Sequence, residues 1–206
     1  MKVVIIGGVA GGASAAARLR RNDENAEIII FERTGYISYA NCGEPYYIGG
    51  VIEEREKLTV QTPKGFKERF NVDVRVKSEV TAIDRDAKKV HVKNLETGEE
   101  YDESYDKLIL SPGAKAVKPD VPGVDDERIF SLRTIEDTFA ISDFVEQKQP
   151  KTAIVIGGGF IGLEVAENLM ERGLKVTVLH RGAHVMKGLD DGIAAVLQNR
   201  MRYVGL

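Results

Sequence analysis

The chain has 206 residues, of which 43% are hydrophobic and 30% are charged, and its formal net charge is −3. This composition is that of an ordinary globular protein, and the small negative charge excludes a general attraction to nucleic acid or anionic membranes. The only cysteine, Cys42, excludes an internal disulfide and favours a reducing compartment, so we expect a cytoplasmic protein. The longest apolar stretch, residues 153–163, is too short to span a membrane.

The first part of the chain predicts a strand–turn–helix–strand unit. The short apolar run at residues 2–6 predicts a buried strand, and a glycine-rich turn follows at residues 7–12. An alanine-rich helix is expected at 13–22, and a second apolar strand at 26–32. This order implies two adjacent parallel strands joined by a right-handed crossover.

The middle of the chain has a different pattern. A short helix is expected at residues 62–70, and the turn signal Thr97-Gly98 lies among short alternating segments. These segments predict an antiparallel insertion of strands at residues 72–76, 79–84, 89–94 and 99–103. A buried strand before Ser111 follows, and Thr134 with Asp137 predicts the capped start of a helix at 135–148.

Residues 150–181 repeat the first plan, with strands at 152–156 and 174–180 and a helix that ends at Gly173. We therefore expect an α/β fold with two Rossmann-like dinucleotide-binding units and a small antiparallel β insertion. The expected domains are residues 1–149 and 150–206. Because a doubly wound second domain needs more strands, we expect the chain to be the N-terminal part of a longer protein.

Each unit has a glycine-rich turn between its first strand and its helix. The second turn follows the spacing G-x-G-x-x-G through Gly157, Gly159 and Gly162. The first turn has Val9 at the middle position, between Gly7 and Gly12. Such turns let the backbone approach a pyrophosphate at a helix N-terminus, although glycines also serve close helix–sheet packing. Two of them in the same context predict nucleotide binding.

The residue that ends each second strand is expected to contact the nucleotide ribose. In the first unit this residue is Glu32, whose carboxylate suits the ribose hydroxyls. In the second unit it is His180, followed by Arg181, and neither side chain carries a negative charge that would repel a 2′-phosphate. The difference favours NADPH over NADH at the second turn, and the alternative is that His180 and Arg181 simply face solvent.

Two such units, with Cys42 just beyond the first, resemble the pyridine nucleotide–disulfide oxidoreductases over essentially the whole chain. The segments "SPGA" (111–114) and "GGGFIGLE" (157–164) are similar to the family's flavin-contacting turn and second nucleotide turn. Members with an internal redox disulfide have a second cysteine where this chain has Tyr47. The segment "SYANCGEPYY" (38–47) is similar to the single-cysteine branch, and most of all to coenzyme A–disulfide reductases and NADH-dependent persulfide reductases.

The resemblance implies FAD at the first turn and NADPH or NADH at the second. Toward FAD it implies Gly7, Gly8, Val9, Ala10, Gly11, Gly12, Glu32, Arg33, Asn41, Val80, Ser111, Pro112, Gly113 and Arg133. Toward the nicotinamide nucleotide it implies Gly157, Gly159, Phe160, Ile161, Gly162, Glu164, His180 and Arg181. By composition alone Val80 would be a strand core residue, and Arg133 a surface residue before a helix cap.

The resemblance makes Cys42 the catalytic residue, which is held as a mixed disulfide with coenzyme A and freed as a thiolate by the reduced flavin. No histidine lies near it in sequence, but Pro45 predicts the first turn of a helix, whose N-terminus would favour the thiolate. The implied coenzyme A channel comprises Ser14, Arg18, Arg21, Ser38 and Asn41. A solvated basic helix end would also explain the two arginines, and the family's further basic residue is replaced by Phe70, beside Arg69.

Two rival hypotheses remain open. In an NADH oxidase or peroxidase, Cys42 would cycle through a sulfenic acid, but those enzymes usually carry a histidine where this chain has Ala10. Alternatively, the chain is a nucleotide-binding or folded fragment without catalysis, which binds FAD weakly or not at all. For the whole protein, the resemblance implies a homodimer, and some relatives add a rhodanese-like domain.

Overall fold

The computed structural model describes residues 1–206, which form two compact units. Unit 1 comprises Met1–Ala40 and Thr59–Lys115, and unit 2 comprises Asn41–Leu58 and Ala116–Leu206. The strands are β1 Lys2–Ile6, β2 Glu27–Phe31, β3 Asp73–Arg75, β4 Ser78–Asp84, β5 Lys89–Asn94, β6 Glu100–Ser104, β7 Lys107–Leu110, β8 Thr152–Ile156 and β9 Lys175–Leu179. The helices are α1 Ala10–Asn22, α2 Glu44–Ile48, α3 Pro63–Phe70, α4 Ile135–Lys148, α5 Phe160–Glu171 and α6 Asp191–Val204, with 3₁₀ turns at Asn41–Gly43 and Arg55–Leu58.

The main sheet of unit 1 has four parallel strands in the order β3–β2–β1–β7. Its two central strands are almost wholly apolar because both of their faces are covered. Helix α1 packs its small residues Ala13, Ala16 and Ala17 in the core with Val3, Ile5, Ile28 and Ile30. This part of the fold confirms the predicted strand–turn–helix–strand unit.

One strand was assigned to the wrong sheet. The segment at residues 72–76 was predicted to belong to the antiparallel insertion, but β3 pairs in parallel with β2, with Ile30 opposite Val74. Helix α3 supplies the crossover between these two parallel strands. The antiparallel insertion is therefore the three-stranded sheet β4–β5–β6, and Gly98, with φ +76°, lies in its second turn as predicted.

Unit 2 contains the parallel pair β8–β9, joined by α5, together with α2, α4 and α6. Its core is built by Ile48, Val145, Ala166, Leu169, Leu174 and Val176. Helix α4 begins at the predicted N-cap, Thr134. The structure adds that this is a capping box, in which the Thr134 and Asp137 side chains each accept from the other's backbone N–H group. Helix α5 ends as expected, with Gly173 in the left-handed conformation (φ +83°).

The fold is an α/β architecture with Rossmann-like units, as the sequence predicted. The compact units divide the chain differently from the expected domains at residue 149, because Asn41–Leu58 packs with α4 and α5. The cofactor-defined domains stay a prediction. None of the helices combines the length and apolar character that crossing a membrane requires.

Candidate nucleotide and thiol sites

The first glycine turn is held in place by backbone contacts. The Gly7 N–H donates to the Phe31 carbonyl at 2.8 Å, which extends the β1–β2 pairing into the turn. A Cβ on Gly12 would lie 1.8 Å from the Gly7 carbonyl oxygen, so any larger residue there would have to displace the backbone. Glycine at this position therefore serves the close approach of α1 to the turn, as a Rossmann turn requires.

The segment at residues 111–114 lies against this turn. The Ser111 N–H donates to the Ile6 carbonyl at 2.8 Å, and a Cβ on Gly11 would lie 2.3 Å from Ser111 Oγ. Pro112 and Gly113 follow on the exposed side, with Gly113 in the left-handed conformation. The structure thus brings together two segments that lie about 100 residues apart in sequence and that the resemblance assigned to one flavin site.

Glu32 is 7% exposed, and both of its carboxylate oxygens are hydrogen-bonded. Oε2 accepts the Gly8 N–H at 2.8 Å, and Oε1 accepts the Thr34 N–H at 2.8 Å. Each carboxylate oxygen has room for a second donor. Glu32 can therefore fix the turn and still accept ribose hydroxyls.

The second glycine turn repeats this frame within unit 2. The Gly157 N–H donates to the Leu179 carbonyl at 2.8 Å, and a Cβ on Gly162 would lie 2.0 Å from the Gly157 oxygen. His180 replaces the carboxylate, since its Nδ1 accepts the Gly158 N–H at 3.2 Å. An accepting Nδ1 leaves Nε2 as the ring nitrogen that can donate a hydrogen bond.

The helices that follow the two turns leave their first N–H groups free for a ligand. Side chains cap the starts of α3, α4 and α6 through Thr62, Thr134 and Asp190. Helices α1 and α5 have no side-chain cap. Their orphan N–H groups suit phosphate oxygens, which are the groups that a dinucleotide brings to such a turn. The residues present therefore fit a nucleotide at each turn.

The arginines of α1 differ sharply in their contacts. Arg20 donates four hydrogen bonds to backbone carbonyls, at Phe70, Asp23, Glu24 and Asn71, and so anchors the helix end. Arg18 and Arg21 lie exposed on the same face as Ser14, without hydrogen bonds or ion pairs. The face predicted for an anionic ligand is therefore available, whereas Arg20 has a structural role. Arg69 stacks on the neighbouring Phe70 ring at 5.2 Å.

Ser38 adopts a left-handed conformation, with φ +44°, that is unusual for a residue other than glycine. Its N–H donates to the Gly8 carbonyl at 3.0 Å, and its own carbonyl accepts the N–H groups of Val60 and Gln61. These bonds hold the strained conformation. The predicted role of Ser38 toward the thiol ligand stays a prediction.

Cys42 lies exposed in the 3₁₀ turn Asn41–Gly43, as a free thiol. Pro45 lies in the first turn of α2, as predicted. Helix α2 has only five residues and begins at Glu44. A helix of little more than one turn has a small dipole, so the expectation that it favours the thiolate stays a prediction.

The segment that carries Cys42 is fixed to α4 and α5. The Arg55 guanidinium stacks over the Phe139 ring at 4.6 Å, donates to the Tyr47 hydroxyl and pairs with Asp143. At the other end of α2, Arg172 donates to the Ile48 carbonyl at 3.3 Å. The second unit's nucleotide helix is therefore in direct contact with the thiol-bearing segment.

Sequence reasoning missed Glu44, which is 5% exposed and has a buried Oε1 without a hydrogen-bond partner. Burial raises the pKa of its carboxyl to about 7, Arg133 opposes this shift, and Asp137 adds to it. The signal in the sequence was an acidic residue two positions after the cysteine, between Gly43 and Pro45. The half-buried Arg133 thus lies close enough to Glu44 to act on its carboxyl. The resemblance had placed Arg133 near the flavin, and that role stays a prediction.

The remaining residues of the predicted sites are distributed over both units. Phe160 and Ile161 are exposed at the start of α5. The backbone carbonyl of Glu164 accepts a hydrogen bond from Asn168 Nδ2 at 2.8 Å. In unit 2, Arg181 is exposed and unpaired. In unit 1, Val9 precedes α1, Ala10 is exposed at its first position, and Arg33 pairs with Glu79 at 3.9 Å. Val80 packs against the core beside a β-bulge, and Asn41, Cys42 and Arg133 belong to unit 2.

Comparison with known proteins agrees with this geometry. A family model described as pyridine nucleotide-disulphide oxidoreductase matches residues 1–206. A coenzyme A disulfide reductase of Staphylococcus haemolyticus (strain JCSC1435) is 46% identical over 196 residues, which cover 95% of this chain and 44% of that protein. The chain thus spans less than half the length of this relative.

Solved structures give the same result. Reduced CoADR-RHD of Bacillus anthracis superposes with a TM-score of 0.96 at 52% identity, over 99% of this chain and 37% of that one. An NAD-dependent persulfide reductase from A. fulgidus superposes with a TM-score of 0.95 at 37% identity, over 100% of this chain and 39% of that one. The chain belongs to the pyridine nucleotide-disulphide oxidoreductase family, as the two repeated turns and the single thiol had indicated.

Proposed function

We propose that the whole protein is an FAD-dependent reductase that uses NADPH or NADH to reduce coenzyme A disulfide, or a coenzyme A persulfide, through Cys42. The observation that carries the proposal is the combination of two uncapped glycine turns with one exposed free thiol. FAD is assigned to the first turn and the nicotinamide nucleotide to the second. The identity to coenzyme A disulfide reductase supports the substrate class.

Cys42 acts as the nucleophile in this proposal. Its thiolate attacks one sulfur of the substrate disulfide, forms a mixed disulfide and releases the other half as a thiolate that takes up a proton. When bound, the flavin supplies the two electrons that it receives as hydride from the reduced nicotinamide. Reduction of the mixed disulfide then releases the second thiol and restores the Cys42 thiolate. With a persulfide, the Cys42 thiolate attacks the sulfane sulfur and coenzyme A leaves as the thiol. Two-electron reduction of the resulting Cys42 persulfide then releases hydrogen sulfide and restores the Cys42 thiolate.

At the second turn we infer a preference for NADPH. His180 accepts through Nδ1 and can donate through Nε2, and the unpaired Arg181 guanidinium lies next to it in sequence. Both can donate hydrogen bonds to a 2′-phosphate, and there is no carboxylate to repel it. Phe160 is exposed at the start of α5. The family resemblance places it on the nicotinamide side of the flavin.

The exposed Arg18 and Arg21 give the substrate an electrostatic attraction. Coenzyme A carries several phosphate charges, and these two guanidinium groups have no acidic partner to neutralise them. Ser14 lies on the same helix face, and the strained Ser38 and Asn41 are assigned to the thiol end of the ligand. The single free thiol supports a cytoplasmic location, and the family supports a homodimer.

Steady-state turnover of the purified whole protein tests this function. We expect NADPH oxidation that depends on coenzyme A disulfide or persulfide and that Cys42→Ser abolishes. Faster consumption of oxygen or peroxide than of coenzyme A disulfide would instead establish an oxidase or peroxidase. Undiminished coenzyme A disulfide turnover by Cys42→Ser would show that Cys42 is not the nucleophile.

A further inference from the structure

The side chains that accept from the two glycine turns differ in their second polar atom. In unit 1, Glu32 Oε2 accepts the Gly8 N–H, and Oε1 accepts the N–H of Thr34, two positions later, at 2.8 Å. In unit 2, His180 Nδ1 accepts the Gly158 N–H at 3.2 Å, but Nε2 has no hydrogen-bond partner in the chain. The second atom is therefore engaged in unit 1 and free in unit 2.

Gly182 lies two positions after His180, as Thr34 lies two positions after Glu32. A Cβ on Gly182 would lie 2.8 Å from His180 Nε2 and 3.4 Å from its Cδ2. Because carbon atoms pack against their neighbours at about 3.5–4.0 Å, the imidazole would have to give way. Alanine at this position would cover Nε2 or push the ring away from its bond with Gly158.

The backbone at Gly182 does not require glycine. Gly182 is exposed and, unlike Gly157 and Gly173, does not adopt a positive φ. The nearest atoms that a side chain would meet belong to the imidazole of His180, which is itself exposed. The missing side chain therefore serves the histidine ring rather than the fold of the connection.

We infer that Gly182 is a positioning residue for nucleotide selectivity, an inference that rests on the proposed preference for NADPH at the second turn. Because Gly182 has no side chain, the His180 ring stays bonded to the turn while Nε2 remains open. An open Nε2 can donate to an oxygen of the 2′-phosphate, which NADPH has and NADH lacks. This donor adds to the exposed guanidinium of Arg181.

Fluorescence titration of the whole protein with NADPH and with NADH tests this inference and needs no thiol substrate. We expect Gly182→Ala to weaken NADPH binding about five- to tenfold and to change NADH binding less than about twofold, because one hydrogen bond to a charged phosphate is lost. In a His180→Ala background the same substitution should have no further effect, since Gly182 acts through the imidazole. Equal weakening of both nucleotides, or a full effect that persists without the imidazole, would overturn the inference.

The matched control is Gly188→Ala, at an exposed glycine of the same connection that also lacks a positive φ and where a Cβ would meet no atom within 4 Å. It should change neither affinity, and a loss of NADPH affinity equal to that of Gly182→Ala would also overturn the inference. The affinities of the natural protein test the proposed function separately. Equal binding of NADPH and NADH by the natural protein contradicts the proposed preference, whereas an affinity ratio that Gly182→Ala leaves unchanged contradicts the role of Gly182.

Discussion

The two glycine turns have the same backbone hydrogen bonds but differ in the side chain that accepts the N–H of the second glycine. In unit 1 the Gly8 N–H is bonded by the buried carboxylate of Glu32, and in unit 2 the Gly158 N–H is bonded by the exposed imidazole of His180. The accepting group is an acidic side chain in unit 1 and an imidazole in unit 2. One scaffold therefore offers an acceptor for ribose hydroxyls at one turn and donors for a phosphate at the other.

The likeness extends beyond the turns themselves. Ser38 in unit 1 and Met186 in unit 2 are both left-handed residues, with φ +44° and +56°, and each donates its N–H to the second glycine carbonyl of its turn, at 3.0 and 2.7 Å. The backbone adopts the same strained conformation twice for the same bond. The segments after these two residues differ, because only the first copy leads into the thiol segment. The left-handed residue is thus part of the scaffold, and the function of each copy depends on the residues after it.

The largest expected effect is that of Gly12→Ala in the first turn. The new Cβ would lie 1.8 Å from the Gly7 carbonyl oxygen, so the helix and turn must move apart. We expect a loss of about 3 kcal/mol or more in the free energy of unfolding, measured by urea denaturation. The equivalent Gly162→Ala should destabilise unit 2 for the same reason. A neutral effect of both variants would contradict the close approach in each turn.

The second prediction compares how much Glu32 and His180, the side chains that accept from the two turns, contribute to stability. Glu32→Ala leaves the Gly8 and Thr34 N–H groups without their buried partner, so we expect it to lower the free energy of unfolding by about 2–3 kcal/mol. His180→Ala removes one longer bond at an exposed position and should cost less than about 1 kcal/mol. Chemical denaturation of both variants checks the order, and equal losses would show that the acceptors are equivalent.

A third prediction compares the hydrogen-bonded carboxylate of Glu32 with Glu44, which lacks a partner on Oε1. The folded pKa of Glu44, about 7, exceeds the ordinary value of 4.5, so the folded state binds this proton more tightly. Its contribution to stability is therefore present at low pH and is lost as the pH rises from about 4.5 to 7, by at most about 3 kcal/mol. Glu44→Met should remove this slope, and unfolding measured at several pH values checks it. A slope that persists in the variant must come from other groups.

The sequence alone was sufficient for the repeated units, the helix cap at Thr134 and the two glycine turns, because each depends on local spacing. It was insufficient where the outcome depends on distant partners. Arg20 and Arg18 are indistinguishable in sequence, and only the carbonyls that α3 and the α1–β2 connection bring to Arg20 separate them. Likewise, a five-residue helix has too little periodicity to predict that Glu44 is buried.

A smaller effect is expected from the exposed cation of the second turn. Arg181→Ala should weaken NADPH binding about tenfold and leave NADH binding nearly unchanged, because only NADPH has the 2′-phosphate. The matched control is Arg33→Ala, which alters the equivalent position in unit 1 and should change neither affinity. Fluorescence titration of the whole protein measures both. Equal weakening of NADPH and NADH by Arg181→Ala would contradict recognition of the 2′-phosphate.

The smallest effect on stability should come from Gly159→Ala, which asks whether the middle glycine of the second turn serves packing or a ligand. A Cβ there would meet no atom within 4 Å, and φ of −90° suits alanine, so nothing in the protein requires glycine. We expect the free energy of unfolding to change by less than about 0.5 kcal/mol while NADPH binding weakens, because the methyl group occupies the space of the pyrophosphate. A destabilised variant would assign Gly159 to packing. Unchanged stability with unchanged NADPH affinity would show that the pyrophosphate does not approach the backbone at this position, and only weakened binding in a stable variant supports a nucleotide at the second turn.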